Sequence, residues 1–210
     1  PETKDRELRH IANGFLTLTT GKMSSRLGNV LTGESLFADL AESAKERASE
    51  SRAENMELLA EQIGVAAIKY EVLKQGTGKN IVFDRERALS FEGDSGPYLQ
   101  YTYARTNAIL AKATESGVVA EVNKQLIPDD VTKLLPHFPE IVERAAQEYE
   151  PHLVTTYLIE LAAAFNSWYG REQILDGTPA AAHKVALTDA VRRTLKNGLW
   201  ILGIPAPERM

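Results

Sequence analysis

Apolar positions recur along this chain at two different periods. In Phe15-Leu16-Thr17-Leu18-Thr19-Thr20 large apolar residues alternate with threonine in strand fashion, and the run ends at Gly21. Beyond it the period lengthens to that of a helix. From Glu34 to Gln75 the chain is rich in Ala, Glu, Lys, Arg and Leu, with Leu36, Leu40 and Ala44 at four-residue spacing and Leu58, Ile63, Ala67 and Tyr70 farther on. This predicts two helices. The breaker cluster Gly76-Thr77-Gly78-Lys79-Asn80 closes them, a short amphipathic stretch runs from Ile81 to Phe91, and a second breaker group, Gly93-Asp94-Ser95-Gly96-Pro97, follows. A helix should start there, because Asp94 or Ser95 can accept bonds from the first free backbone N–H groups and Pro97 fits the first turn. It is expected to reach the region of Glu115. After Pro128, Asp129 or Asp130 can cap a short helix, with another beginning near Pro139. Val154, Leu158, Leu161, Phe165 and Trp168 then mark one long helix, and Leu187, Val191, Leu195, Leu199 and Leu202 mark a second after the break at Asp176-Gly177-Thr178-Pro179. Each buries one stripe, and the two can pack together. The pattern predicts a mostly α fold, a helical bundle with a short β or loop remnant at its N-terminal side, without internal repeats.

Composition adds limits. The 210 residues allow one large domain, or one with an appendage, and 43% hydrophobic with 25% charged residues is ordinary for a globular protein. With 24 basic against 29 acidic side chains the net charge is −5, so the chain as a whole offers no basic footprint for nucleic acid. The charge is unevenly spread, however. Asp39, Glu42, Glu46, Glu50, Glu54, Glu57 and Glu61 face only Lys45, Arg47 and Arg52, which predicts a solvated acidic helix face. In the last helix and tail, Lys184, Arg192, Arg193, Lys196 and Arg209 outnumber Asp189 and Glu208. That reversal suits RNA contact, and it also suits the helix dipole. The absence of cysteine excludes disulfides, thiolate clusters and thiol catalysis, and suits a reducing cytosol. No apolar stretch is long enough to span a bilayer, and His10, His137, His152 and His183 show no ligand spacing, so neither a membrane nor a metal site is expected. A first residue Pro1 predicts a processed or truncated piece of a longer protein.

Three segments carry candidate chemistry. Gly21-Lys22-Met23-Ser24-Ser25-Arg26-Leu27-Gly28-Asn29 is bracketed by glycines and predicts a mobile loop with two cations and two hydroxyls. Such a loop is either a polar surface turn or a device for holding a polyphosphate. Ala88 to Arg105 contains a capped helix start with Tyr98, Gln100, Tyr101, Tyr103 and Arg105 within two turns, able to stack on bases and bond their edges or to pack with hydroxyl partners. The third comprises Asn166, Trp168, Tyr169 and Arg171 together with the ending Leu199-Trp200-Ile201-Leu202-Gly203-Ile204-Pro205-Ala206-Pro207-Glu208-Arg209-Met210.

The order of residues in all three resembles arginyl-tRNA synthetases. Lys22-Met23-Ser24-Ser25-Arg26 is similar to the KMSKS signature of class I synthetases, with Ser25 in place of the second lysine and Arg26 one place on. Phe91-Glu92-Gly93-Asp94-Ser95-Gly96-Pro97-Tyr98-Leu99-Gln100-Tyr101 with Ala104-Arg105 resembles the segment that enters the anticodon-binding, or DALR, domain. The resemblance implies a division into 1–35, the end of a catalytic domain; 36–92, a helical stem; and 93–210, an anticodon-binding bundle. It implies that Lys22 and Arg26 are catalytic within an ATP loop of Lys22, Met23, Ser24, Ser25 and Arg26. It also implies that Tyr98, Gln100, Tyr101, Arg105, Asn166, Trp168, Tyr169, Arg209 and Met210 bind the anticodon. At Gln173, four beyond Tyr169, some relatives carry an aromatic. The implied partners are the tRNA for arginine, with ATP (and Mg2+) and arginine as substrates of the full enzyme, in the cytoplasm, with no DNA, membrane or metal partner. No His-x-Gly-His motif occurs in the sequence, so the chain alone is expected to bind tRNA and not to catalyse, with no cofactor bound. A non-catalytic RNA-binding paralogue and a helical protein-interaction module are the competing expectations, the latter favoured if these aromatic and basic residues are buried or scattered.

Overall fold

The computed structural model describes residues 8–19, 32–48, 53–123 and 129–210. The alternating run forms strand β1 (Leu16–Leu18), and the first long helix, α1 (Gly33–Ala48), opens on a reciprocal pair of bonds. The Thr32 amide donates to the Ser35 hydroxyl at 3.0 Å, and the Ser35 amide to the Thr32 hydroxyl at 3.1 Å. Helix α2 (Met56–Leu73) is capped by the Asn55 side chain, which accepts from Leu58 N. The stretch expected to be a single amphipathic unit from Ile81 to Phe91 is split in two. Strand β2 (Ile81–Phe83) is followed by a one-turn helix, α3 (Arg85–Ala88), because Asp84 accepts from the Arg87 amide and turns the chain.

Helix α4 (Gly96–Glu115) starts where expected, with Ser95 as its cap accepting from Tyr98 N at 3.1 Å and Pro97 in the first turn. Asp129 caps the short α5 (Asp130–Leu134), a 3-10 turn over Leu135–His137 leads into α6 (Phe138–Glu148), and α7 (His152–Arg171) and α8 (Ala181–Ile201) complete the bundle. Helix α8 stops in a paired turn: Ile204 N bonds Leu199 O at 2.8 Å and Gly203 N bonds Trp200 O at 2.9 Å.

Two apolar clusters meet at α2. Leu36, Leu40 and Ala44 of α1 pack with Leu59, Ala60, Ile63 and Ala67 of α2, and with Phe83, Ala88 and Leu89. On its other side α2 gives Ala66 and Tyr70 to the larger cluster formed by Leu99 and Tyr103 of α4, Leu158, Leu161 and Phe165 of α7, and Val191, Leu195 and Leu199 of α8. A helix buried on both sides needs an apolar surface nearly all round, as the sequence of α2 has. Helix α8 packs more extensively on α4 than on α7, its expected partner, although it touches both. Of the acidic run expected to be a solvated face, the described members Asp39, Glu42, Glu46, Glu54, Glu57 and Glu61 are all exposed, whereas Glu71 farther along α2 is buried.

The short β or loop remnant expected at the N-terminal side is a strand with a partner 65 residues on. Strands β1 and β2 pair in parallel, Leu16 opposite Ile81, Thr17 opposite Val82 and Leu18 opposite Phe83. The Asn80 side chain extends the pairing by accepting from Phe15 N at 2.9 Å.

Candidate nucleic-acid interface

The outer face of α4 carries Tyr101, Ala104, Arg105, Ala108 and Ala111, residues three or four apart, hence on one face. Three alanines leave this face low. Tyr101 and Arg105 rise on one side, Glu208, Arg209 and Met210 of the tail form the other, and the groove between them holds about 650 Å³.

Arg105 is the centre of the site. Its guanidinium lies 4.7 Å from the centroid of the Tyr101 ring and 5.3 Å from that of Tyr169 on α7. One nitrogen donates to the Tyr101 hydroxyl at 3.1 Å and another to the Asn166 side-chain carbonyl. Asn166 is fixed in turn, donating to the Tyr98 hydroxyl and to Thr102 Oγ1, both at 2.9 Å. The result is a cation whose plane is locked by hydrogen bonds between two aromatic faces that still reach solvent, Tyr101 at 37% and Tyr169 at 40% exposure. Planar, charged and aromatic surfaces side by side can stack on unpaired bases and bond their edges.

The tail wall is held from beneath. Gln100 is fully buried, and its amide donates to Pro205 O at 2.9 Å and to Gln62 O at 3.1 Å, tying the tail to α2. Arg209 is exposed and pairs with Glu54 at 3.5 Å, while Met210 packs on the α1–α2 cluster.

Of the expected site residues, Tyr101, Arg105, Tyr169, Arg209 and Met210 border one surface region, and Tyr98 and Asn166 lie half-buried behind it as supports. Two belong elsewhere. Gln100 has no surface to offer a ligand because its amide is spent on backbone carbonyls. Trp168 is 7% exposed and packed in the core beside Phe165, at 5.9 Å between rings. Lys22, Met23, Ser24, Ser25 and Arg26 lie outside the described residues. Sequence reasoning missed Phe165, stacked on Tyr169 at 6.3 Å and 15°, Phe91 against Tyr101, and Thr102 under Asn166. It also missed the floor of the groove, whose signal was the spacing of Ala104, Ala108 and Ala111 around Arg105.

A second polar cluster marks the entrance to α4. Asp94 bonds the Tyr70 hydroxyl and pairs with Lys74 at 3.2 Å and Arg87 at 3.1 Å. Burial would raise its carboxyl, but the Tyr70 bond and the two cations outweigh it and hold it below the ordinary carboxylate value. These groups join α2, α3 and α4, and so set where α4 begins.

The family model of the DALR anticodon binding domain matches residues 99–210. The chain is 37% identical to the arginine–tRNA ligase of Streptococcus pneumoniae serotype 19F and to arginine–tRNA ligase 1 of a Bacillus cereus strain. In both comparisons 97% of this chain is covered, and it spans 37% of the relative's length. Its fold is similar to that of Thermus thermophilus arginyl-tRNA synthetase, with a TM-score of 0.83 at 32% identity, over 95% of this chain and 35% of that one. The Plasmodium falciparum arginyl-tRNA synthetase shares the fold at a TM-score of 0.71 and 20% identity, over 94% and 34% of the two chains.

Proposed function

Starting from a chain that belongs to the DALR anticodon-binding domain family, we propose that it is the tRNA-binding C-terminal portion of an arginine–tRNA ligase. The observation that carries this reading is the caging of Arg105 between Tyr101 and Tyr169 at the edge of a groove walled by Met210. Unpaired anticodon bases stack on the two tyrosines, Arg105 bonds their edges or the adjoining phosphate, and Met210 gives an apolar contact. Tyr98 and Asn166 hold the arginine in place without touching RNA.

In the whole enzyme, arginine is activated by ATP (with Mg2+) to arginyl-adenylate and then moved to the 3′ end of its tRNA in the cytoplasm. Residues 1–35 contribute the end of the catalytic domain, 36–92 the stem and 93–210 the anticodon-binding bundle. Lys22 and Arg26, with Met23, Ser24 and Ser25, belong to the loop that closes on the triphosphate. The 210 residues alone bind tRNA and catalyse nothing.

A filter-binding titration of the chain against arginine tRNA, native and with a substituted anticodon, tests the reading. The native anticodon is expected to bind more tightly, with affinity falling as salt rises. Tyr169→Ala should weaken binding of the native tRNA by about 1–3 kcal/mol, the usual worth of a base-stacking aromatic. Equal affinity for the two anticodons, or an unaffected Tyr169→Ala variant, would remove the groove from the recognition site.

A further inference from the structure

The outer edge of α8 is unused by the groove, yet its chemistry is that of a nucleic-acid surface. Arg192, Lys196 and Trp200 stand four residues apart, so they turn only about 40° per step and form one row roughly 12 Å long. Arg193 lies beside it. The Asp189 carboxylate receives Arg192 through two nitrogens, at 2.9 and 2.7 Å, and Arg193 at 2.8 Å, so one anion aims two guanidinium groups along the helix. Lys196 is exposed, without an ion pair among the described residues. Trp200 is 80% exposed and has no ring or cation partner among them, an unusual state for an indole. Three cations against one carboxylate stand out in a chain of net charge −5.

The row also connects to the groove. Asn107 and Ala111 line both the groove at Arg105 and the neighbouring hollow between α4 and α8, of about 580 Å³, whose wall includes Arg192. A strand whose bases occupy the groove therefore has a continuous path toward α8.

We propose that Arg192, Arg193, Lys196 and Trp200 form a second RNA contact, which holds the sugar–phosphate of the strand continuing beyond the bases in the groove. The cations pair with phosphates, and Trp200 gives its face to a base or ribose. The proposal rests on the reading of the groove as an anticodon site. An acidic protein partner would satisfy the cations, but continuity with the groove favours RNA.

Lys196→Ala and Trp200→Ala, both at exposed positions of a helix, are titrated in the full chain against arginine tRNA with native and substituted anticodons across a range of salt. Each variant is expected to lose about three- to tenfold in affinity for both tRNAs, because a phosphate contact carries no sequence information. Lys196→Ala should also flatten the log–log salt slope by about 0.7–0.9. If the unmodified chain does not distinguish the anticodons but both variants still bind less, the groove reading falls, and with it the path from the groove, while α8 keeps an RNA contact of its own. Anticodon discrimination with unchanged affinity and slope in both variants overturns the α8 contact alone. Unchanged RNA binding together with an altered oligomeric state overturns it in favour of a protein partner. No tRNA binding by the unmodified chain overturns both.

Discussion

Lys74 sits between two carboxylates, 2.5 Å from Glu71 and 3.2 Å from Asp94, with its side chain only 10% exposed. Glu71 is deeper still, and burial raises its carboxyl above the ordinary value despite the bond from Lys74. Lys74→Met removes the partner and leaves a buried charge, at a cost of about 3 kcal/mol near neutral pH. The pH dependence has a definite sign. In the variant the folded-state pKa of Glu71 stands above the unfolded one, so the folded chain holds that proton more tightly. The penalty is largest above the folded pKa and fades as pH falls toward the ordinary carboxyl range. Urea unfolding at pH 7 and pH 5 should therefore show the gap to the unmodified chain narrowing at pH 5; a constant or widening gap would place the damage elsewhere. At this scale the sequence was readable by residue type and ambiguous by position. Trp168 stands in the stripe Val154, Leu158, Leu161, Phe165 and Trp168, which predicts burial, while family resemblance placed it at the anticodon; the stripe decided. Gln100 had no such warning, because what buries it is a tail 105 residues away.

Two glycines set how closely the helices approach. A Cβ on Gly96, the first residue of α4, would lie 2.2 Å from the backbone oxygen of Ala66 on α2, which has no freedom to withdraw. On Gly198 of α8 the nearest atoms would all belong to the buried Leu158 side chain of α7, its two methyls at 2.5 and 2.7 Å and Cγ at 3.0 Å, a side chain that can shift where backbone cannot. Gly96→Ala should cost about 3 kcal/mol or more, Gly198→Ala about 1 kcal/mol, in thermal or chemical unfolding. Equal losses would mean that α2 shifts as readily as a leucine rotamer. The long helices and the caps Ser95 and Asp129 were legible because stripe and cap are local signals. The β1–β2 pair was not, since parallel pairing over 65 residues leaves no mark on either strand, and the aspartate that ends β2 also starts α3.

Across the whole molecule, charge is sorted rather than averaged: acid on the exposed faces of α1 and α2, base along α8, and a caged arginine between them on α4. A net charge of −5 therefore excludes general stickiness toward RNA while leaving a directed approach, since an RNA strand would be repelled by the acidic faces of α1 and α2 and drawn to α8. Met210 adds a thermodynamic tie between these regions, because it walls the groove yet rests on the apolar cluster of α1, α2 and β2. Local opening of the α1–α2 hairpin removes that support, so any ligand requiring the wall must raise the free energy of opening by an amount that grows with the ratio of its free concentration to its Kd. Amide hydrogen exchange in α1, none of whose described residues lines the groove, should slow when tRNA binds. Exchange there that ignores tRNA would show that the wall stands without the cluster behind it.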